Sequence, residues 1–372
     1  MKIIKISIVV IGVMTLGIIG YFIFSALTKN TPPAMIVITP PAASSTVSSN
    51  QGLITALSDA VILTYFVQSD GIIALKSTGE VVKINNSKTD ILSSAKLVAI
   101  ISASFSSDGK KILAKFGTQK EQFFSVLDLE TKLWTGLGKE KLQSVDWSPA
   151  THEIAYLEKG PSGSNIGVFN TDKLQDAKKP ELGFAKTTLD RINELDSNIT
   201  WLTKNEIIIY PKPAKYVPST ILKYNIKEKT FAPVLSNVPG ATVNWDKKTG
   251  VGIEYSFSNN KNTITLLDAS GVVRGQMGFV TMPEKCTFAG GYLYCAIPND
   301  LNNANLPDDY LMRAVFFRDN FYRISLSDGK TDLVLQDPLG MFDAKALSVS
   351  GGKMYFLNNL DSRLYEFTMQ AK

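Results

Sequence analysis

The sequence is poor in the residue types from which most catalytic centres are built. It contains one histidine, His152, and two cysteines, Cys286 and Cys295. A Ser-His-Asp triad would have to use His152, and no Gly-x-Ser-x-Gly nucleophile elbow accompanies it. His152-Glu153 lacks the second histidine of a zinc-protease helix, and no Cys-x-x-Cys or zinc-ligand spacing occurs. The sequence therefore predicts neither a serine hydrolase nor a metalloenzyme, and no catalytic residue, metal or cofactor.

A strong excess of positive charge is also missing from most of the chain. The formal net charge is +5, but Lys2, Lys5 and Lys29 belong to the amino-terminal region. The remainder is close to neutral and contains no basic stripe and no Gly-rich phosphate loop. Because nucleic-acid binding usually leaves a basic footprint, we expect no nucleic-acid partner.

What the sequence does contain is a repeated pattern of turns and alternating strands after residue 60. An aromatic anchor, a turn and an apolar strand follow one another at Phe105–Ala114 and again at Trp147–Tyr156. Anchors recur at intervals of about forty to sixty residues, near the period of propeller blades. A second strand with a two-residue period follows each time. These second strands are Val81 to Ile84, Ser125 to Leu129, Ile166 to Asn170, Ile221 to Ile226, Thr263 to Leu267, Phe321 to Leu326 and Leu364 to Thr368.

One such unit cannot bury enough apolar surface to offset its own conformational entropy, so neighbouring units must pack together. Closing them into a ring leaves only short exposed edges. The chain reaches Lys372 with no fourth strand for the last unit, and we expect the segment from Leu53 to Leu57 to supply it. The alternative is a last blade that is one strand short.

The runs at Phe105 and Trp147 resemble the repeat signature of TolB-like and WD-repeat-like propellers. This resemblance implies an all-β, seven-bladed β-propeller over residues 52–372, with six or eight blades as the alternatives. The later units depart from the signature at Leu202–Asn205 and Asp246–Thr249, which makes the number of blades less certain than the fold. The resemblance implies no function, because propellers support many unrelated functions on one scaffold.

The amino-terminal region predicts a membrane anchor. Residues 6–27 contain no charged side chain, and a helix of that length would span about 33 Å, enough for a bilayer core of about 30 Å. A cleaved signal peptide, with its shorter apolar core, is the alternative. Lys2 and Lys5 precede the run, which predicts that residues 1–5 are cytoplasmic and that the propeller lies on the extracytoplasmic side. Residues 28–51, rich in proline and serine, are expected to form a spacer.

The two cysteines are predicted to form a disulfide within one hairpin. Gly290-Gly291 is a strong signal for a two-residue turn. Counting outward from that turn pairs Ala289 with Tyr292 and finally Cys286 with Cys295. Those cysteines fall at a non-hydrogen-bonded pair, where side chains approach closely. A pair of buried reduced thiols is the alternative.

Two insertions interrupt the repeats, and loops on a rigid scaffold often carry recognition. The apolar spacing within Thr171–Asn198 predicts a short helix packed on the ring. Ile297–Asn320 combines acidic, aromatic and arginine side chains, which suits a binding surface. The predicted partner-binding residues are Asp300, Asp308, Asp309, Tyr310, Arg313 and Phe316. The alternative is a blade-edge loop with solvated acids.

Together these features predict a non-catalytic, single-pass membrane protein with an extracytoplasmic propeller that binds or assembles another cell-envelope protein. The alternative is small-ligand or glycan binding in the propeller channel, with lyase or cyclase chemistry from carboxylates and tyrosines.

Overall fold

The protein is an all-β propeller with seven sheets. The prediction of a seven-bladed propeller is therefore confirmed. The computed structural model describes residues 36–38 and 54–369, except for 86–87, 119, 139–140, 176–182, 195 and 338.

The predicted membrane segment, residues 6–27, and residues 1–5 lie outside the described residues, as does most of the 28–51 spacer. Within the described part of the chain, no helix combines the length and the apolar character needed to cross a bilayer.

The strands are numbered in chain order, beginning with two short ones, β1 (Ile36–Ile38) and β2 (Thr55–Ala56). Blade 1 consists of β3 to β6: Ile62–Gln68, Gly71–Lys76, Val81–Asn85 and Lys88–Ser93. Blade 2 consists of β7 to β10: Ile100–Phe105, Lys111–Gly117, Gln122–Asp128 and Leu133–Gly136. Blade 3 consists of β11 to β14: Leu142–Trp147, Glu153–Gly160, Gly163–Leu174 and Phe184–Ile192.

Blade 4 consists of β15 to β18: Ser197–Thr203, Glu206–Pro211, Pro218–Asn225 and Thr230–Pro239. Blade 5 consists of β19 to β22: Thr242–Trp245, Gly252–Ser258, Lys261–Leu267 and Val273–Met277. Blade 6 consists of β23 to β26: Cys286–Ala289, Tyr292–Pro298, Asp319–Ser325 and Thr331–Leu335. Blade 7 contains β27 to β29: Ala344–Ser350, Lys353–Asn358 and Leu364–Thr368.

The first strands of the blades lie at the centre of the ring. Strand β3 contacts β7, β11 contacts β15, β23 contacts β27, and β27 contacts β3. The fourth strands therefore lie at the periphery. All seven of the second strands predicted from the sequence are the third strands of their blades.

The last blade is completed by the amino-terminal strand of the domain. Strand β2 is the outermost strand of blade 7, and it pairs Thr55 with Glu366 and Ala56 with Tyr365. The Leu57 N–H then donates to the Leu364 carbonyl at 2.8 Å. The predicted exchange of a strand between the two ends of the domain is confirmed. Blade 5 also gains a fifth strand, because β1 lies next to β22.

The hydrophobic core lies between neighbouring blades, as the sequence predicts. Trp147 and Phe169 of blade 3 pack in one buried cluster with Leu113 and Phe124 of blade 2. Comparable clusters join blades 3 and 4, 4 and 5, 6 and 7, and 7 and 1. Each sheet buries its faces against its neighbours, and this burial is the main source of stability.

Side chains from neighbouring blades also satisfy the backbone of the central strands. The Ile199 N–H donates to the Ser144 hydroxyl oxygen at 3.0 Å, and the Trp201 N–H donates to Asp146 Oδ2 at 2.8 Å. The same Asp146 oxygen accepts from Lys247 Nζ at 2.6 Å. These contacts join blades 3, 4 and 5. They also supply hydrogen-bond partners for the backbone of β15 on the edge that pairs with no strand of its own sheet.

The short helix predicted within Thr171–Asn198 is wrong. Strand β13 extends to Leu174 and pairs with β14, so the insertion lengthens two strands of blade 3. Phe184 and Ile192, which fitted helical spacing, are both buried on β14 but on opposite faces of the sheet. Phe184 packs toward blade 2 and Ile192 toward blade 4, because the register of β13 and β14 is irregular between them.

The predicted disulfide hairpin has the expected register. Strands β23 and β24 pair Cys286 with Cys295 and Ala289 with Tyr292, and the two sulfur atoms are bonded. Gly290 and Gly291 both have positive φ, at 56° and 81°, as the tight turn requires.

Candidate functional site

The loops of the propeller open on two faces. Because successive strands are antiparallel, the loop between the second and third strands and the connection to the next blade lie at the same end of each blade. We call this end the connection face. The opposite end, formed by the remaining loops within each blade, is the hairpin face.

The insertion predicted to bind a partner lies on the connection face, between β24 and β25, and contains a short helix, α1 (Asp308–Leu311). It contacts blades 4 and 5. The Lys215 N–H donates to Asp308 Oδ2 at 2.9 Å, and Lys215 Nζ donates to Asn305 Oδ1 at 2.8 Å. The Tyr255 hydroxyl donates to the Leu306 carbonyl at 2.9 Å.

The base of the insertion is a buried charged cluster, which we call the buried triad: Lys285, Asp319 and Asp343. All three side chains are fully buried. Lys285 Nζ lies 2.7 Å from Asp319 Oδ2 and also contacts Asp343 Oδ1. The rings of Tyr310 and Phe317 stack at 5.7 Å, and Lys285 Nζ is 5.5 Å from each ring centroid. The ammonium group therefore joins the insertion to blades 6 and 7.

Burial dominates the electrostatics of the buried triad. It raises the pKa of Asp319 to about 6, although the contact with Lys285 lowers that pKa, and the charge of nearby Asp343 raises it further. The single positive charge of Lys285 thus faces the carboxyl groups of both Asp319 and Asp343. Asp319 Oδ1 makes no hydrogen bond with any described residue, so this carboxylate is incompletely satisfied. Burial likewise raises the pKa of Tyr310, with smaller contributions from Glu284 and Asp343.

The structure places the predicted partner-binding residues in different environments. Asp300 accepts from the Asn302 N–H, and Asp309 accepts from the Asn305 N–H, so both stabilise the loop itself. Asp308 also stabilises the loop, because its carboxylate accepts from the Lys215 N–H of blade 4.

Tyr310 is only 5% exposed and packs against Phe317, which corrects its interpretation as a surface anchor. Arg313 is exposed, and Phe316 is 47% exposed. The acidic residues and the tyrosine therefore shape the loop, while Arg313 and Phe316 remain available on its surface.

Apart from Phe316, sequence reasoning missed a group of exposed apolar side chains on the connection face. Met312 is 70% exposed, Leu339 is 76% exposed and Tyr216 is 69% exposed. They lie on loops of blades 4, 6 and 7. We call the whole group the apolar rim: Tyr216, Val217, Leu311, Met312, Phe316, Leu339, Met341 and Leu360. Its members are far apart in the sequence, and only the order of the blades assigns them to one face.

The only histidine of the sequence lies on the hairpin face and joins blades 2 and 3. His152 Nε2 lies 3.0 Å from Asp108 Oδ2, and His152 Nδ1 lies 3.2 Å from Asp172 Oδ1. Lys111 Nζ lies 3.0 Å from both Asp128 and Asp172. We call these five side chains the hairpin-face cluster.

Both ring nitrogens of His152 therefore face carboxylates, one on blade 2 and one on blade 3. Burial alone would raise the pKa of Asp108, but hydrogen bonds from Ser106, the Lys110 N–H and His152 lower it to about 2. Among the described residues, no group of three or more histidine, cysteine, aspartate or glutamate side chains has a geometry suited to a metal ion. The hairpin-face cluster is therefore a clamp between blades.

Comparison with known proteins shows the fold and no more. The sequence matches no protein-family model and no curated protein. The propeller domain of the Trilobed protease from Pyrococcus furiosus is similar, with 13% identity and a TM-score of 0.53, over 84% of this chain and 94% of that domain. That domain has an open velcro topology, whereas here β2 pairs with β29.

Two further solved structures are similar. Oligogalacturonate lyase in complex with manganese has 12% identity and a TM-score of 0.56, over 87% of this chain and 94% of the lyase. Tricorn protease has 10% identity and a TM-score of 0.54, over 87% of this chain, which spans only 34% of the length of that protease. At these identities the likeness shows the propeller fold alone.

Proposed function

We propose that this protein is a non-catalytic, membrane-tethered propeller that binds another cell-envelope protein through its connection face. The observation that carries the proposal is the apolar rim, a set of exposed large apolar side chains on loops of one face. Exposed apolar side chains gathered on one face of a domain are a common mark of a binding surface.

The composition of the insertion supports a protein as the partner. Met312, Arg313 and Phe316 are all exposed within this one insertion. Methionine, arginine and aromatic residues are enriched in protein interfaces, whereas lysine and glutamate are depleted.

The support beneath the loop favours tight binding. The buried triad and the Tyr310–Phe317 stack fix the inner part of the insertion, and the disulfide between Cys286 and Cys295 closes the adjacent hairpin. A loop that is ordered before binding loses less conformational entropy when the partner binds.

The proposed location rests on the amino-terminal sequence and on the cysteines. The uncharged run of residues 6–27, preceded by Lys2 and Lys5, favours an anchor with the propeller on the extracytoplasmic side. Disulfides persist mainly in oxidising compartments, which agrees with that side.

Site-specific photo-cross-linking in intact cells tests the proposal. A benzoylphenylalanine is introduced at Met312, Phe316 or Leu339 on the connection face. Leu133 and Val272, which are 66% and 49% exposed and lie toward the hairpin face, are the matched control positions. We expect one discrete cross-linked protein, identified by mass spectrometry, from the connection-face positions alone. Equal adducts from both faces, or none from either, would contradict the proposal.

A second candidate function is small-ligand or glycan binding near the centre of the ring. One observation favours it: a cavity of about 250 Å³ among the first strands of blades 2, 3 and 4, with mainly polar lining. Oligogalacturonate lyase shares the fold at 12% identity, which supports a ligand site on such a scaffold but no particular chemistry. Saturable binding of a small sugar or acid to the full chain, measured by calorimetry, tests this function.

A further inference from the structure

The cavity between blades 2 and 3 has an unusual lining. Its residues come from β7, β8 and β9 of blade 2, β11 of blade 3 and β15 of blade 4. At roughly 30 Å³ for each water molecule, its volume of about 250 Å³ corresponds to about eight waters. The polar side chains of its lining are Ser102, Ser104, Lys115, Gln143, Ser144 and Asn198.

The charge of the cavity comes from Lys115. Its ammonium group lies 5.9 Å from the centroid of the Phe124 ring, and it has no ion pair or hydrogen bond with any described residue. Two other lysines, Lys111 and Lys247, lie 3.0 Å and 2.6 Å from aspartate oxygens. The lining of the cavity includes no acidic residue among those described.

Nearby charge strengthens this positive character. The pKa of Lys115 is lowered by burial and, secondarily, by the charge of Lys212 on blade 4. The two cations thus lie close enough to interact. A site of this kind lowers its electrostatic free energy by taking up an anion.

The cavity also offers uncommitted hydrogen-bond donors. The hydroxyls of Ser102 and Ser104 and the amide of Asn198 donate no hydrogen bond to any other described residue. Ser144 accepts from the Ile199 N–H at 3.0 Å, and its own proton stays available. Hydroxyl and amide donors around one ammonium group suit the oxygens of a carboxylate or phosphate.

We propose that this cavity binds the carboxylate or phosphate group of a small ligand, with Lys115 as the counter-ion and Ser102, Ser104 and Asn198 as hydrogen-bond donors. The proposal rests on the second candidate function, small-ligand binding, and names its site and ligand class. It does not depend on capture of a partner protein by the apolar rim, because the two use different residues. The small volume selects a single sugar acid or phosphate ester over a polymer chain.

Calorimetric titration of the full chain in detergent tests the proposal. The probes are glucuronate, inorganic phosphate and, as the neutral control, glucose. The variants are Lys115→Gln, Lys115→Arg and a matched control, Lys248→Gln, which changes an exposed lysine on the hairpin face. The unfolding temperature of each variant is recorded, so that loss of binding is separated from loss of fold.

We expect saturable binding of glucuronate or phosphate, weakened about tenfold or more by Lys115→Gln, because a charge-assisted hydrogen bond is lost. Lys115→Arg should retain part of the affinity, and Lys248→Gln should retain all of it. Binding of glucuronate alone identifies a carboxylate ligand, and binding of phosphate alone identifies a phosphate ligand.

If glucose binds as tightly as glucuronate and Lys115→Gln has no effect, the anion site is wrong while small-ligand binding stands. If none of the three probes binds, both the site and the second candidate function are overturned.

Discussion

Two regions of the molecule contain the same three charged groups, one lysine between two aspartates, in different surroundings. In the buried triad, the side chain of Lys285 and both carboxylates are fully buried. In the hairpin-face cluster, Lys111 is 8% exposed, but Asp172 is 57% exposed. Burial raises the pKa of Asp319 to about 6, whereas hydrogen bonds and the charge of Lys111 outweigh burial and lower the pKa of Asp172. The same three charged groups therefore carry a desolvation cost in the buried triad, whereas in the hairpin-face cluster water reaches the Asp172 carboxylate.

The largest expected effect comes from removing each lysine in turn. Lys285→Met leaves two buried carboxylates unpaired, and we expect it to reduce the free energy of unfolding by about 3–5 kcal/mol. Lys111→Met leaves its carboxylates in contact with water and backbone donors, and we expect about 1 kcal/mol or less. Urea unfolding of the two variants measures the difference. Equal losses would show that burial does not distinguish the two regions.

The two regions also differ in covalent cross-linking. Cys286, which directly follows Lys285, forms a disulfide with Cys295, whereas the described residues of the hairpin-face cluster have no covalent link. Replacing both cysteines with alanine should cost about 2–3 kcal/mol, as expected for closure of a short loop. The measurement is urea unfolding of the full chain, with oxidised wild type as the reference. If the variant and the oxidised wild type unfold at the same urea concentration, the disulfide does not stabilise blade 6.

A smaller effect should appear in the pH dependence, with opposite signs in the two regions. The folded pKa of Asp319 lies above its ordinary value of 3.8, so its contribution to stability is complete below that value and is lost as the pH rises through about 6. The pKa of Asp172 is lowered, so its contribution is present above 3.8 and is lost as the pH falls.

Urea unfolding between pH 4 and pH 7 tests this contrast. In the wild type, Asp319 should lower the free energy of unfolding by on the order of 1–3 kcal/mol as the pH rises from 4 to 7. Asp319→Asn should abolish this fall. Asp172→Asn, the matched control, should leave that fall in place. Parallel pH profiles for Asp319→Asn and wild type would contradict the assignment.

The features that the sequence predicted correctly are those encoded locally. The Cys286–Cys295 pairing follows from counting outward from two glycines, and the third strand of each blade follows from alternation over a few residues. The strand exchange at Thr55 is the exception, because it joins the two ends of the domain and followed from counting strands in the last blade.

The features that it missed depend on distant residues. Lys285, Asp319 and Asp343 come from three separate segments of the chain, and nothing in their local sequence indicates that they meet. Tyr310 and Phe316 lie in one loop with similar composition, and only the packing of Phe317 decides that the tyrosine is buried. Lys115 occupies an ordinary strand position, and its lack of a carboxylate partner becomes visible only in three dimensions.

The pairing of β2 with β29 determines how the ring responds to mechanical load. Only Thr55 and Ala56 pair with β29, at the outer edge of blade 7. One further hydrogen bond, from the Leu57 N–H to the Leu364 carbonyl, extends this short ladder. Tension that reaches Thr55 acts on the ladder, whereas β1, which lies next to β22, takes up load at blade 5. The closure of the ring under load thus depends on a few hydrogen bonds at one outer edge.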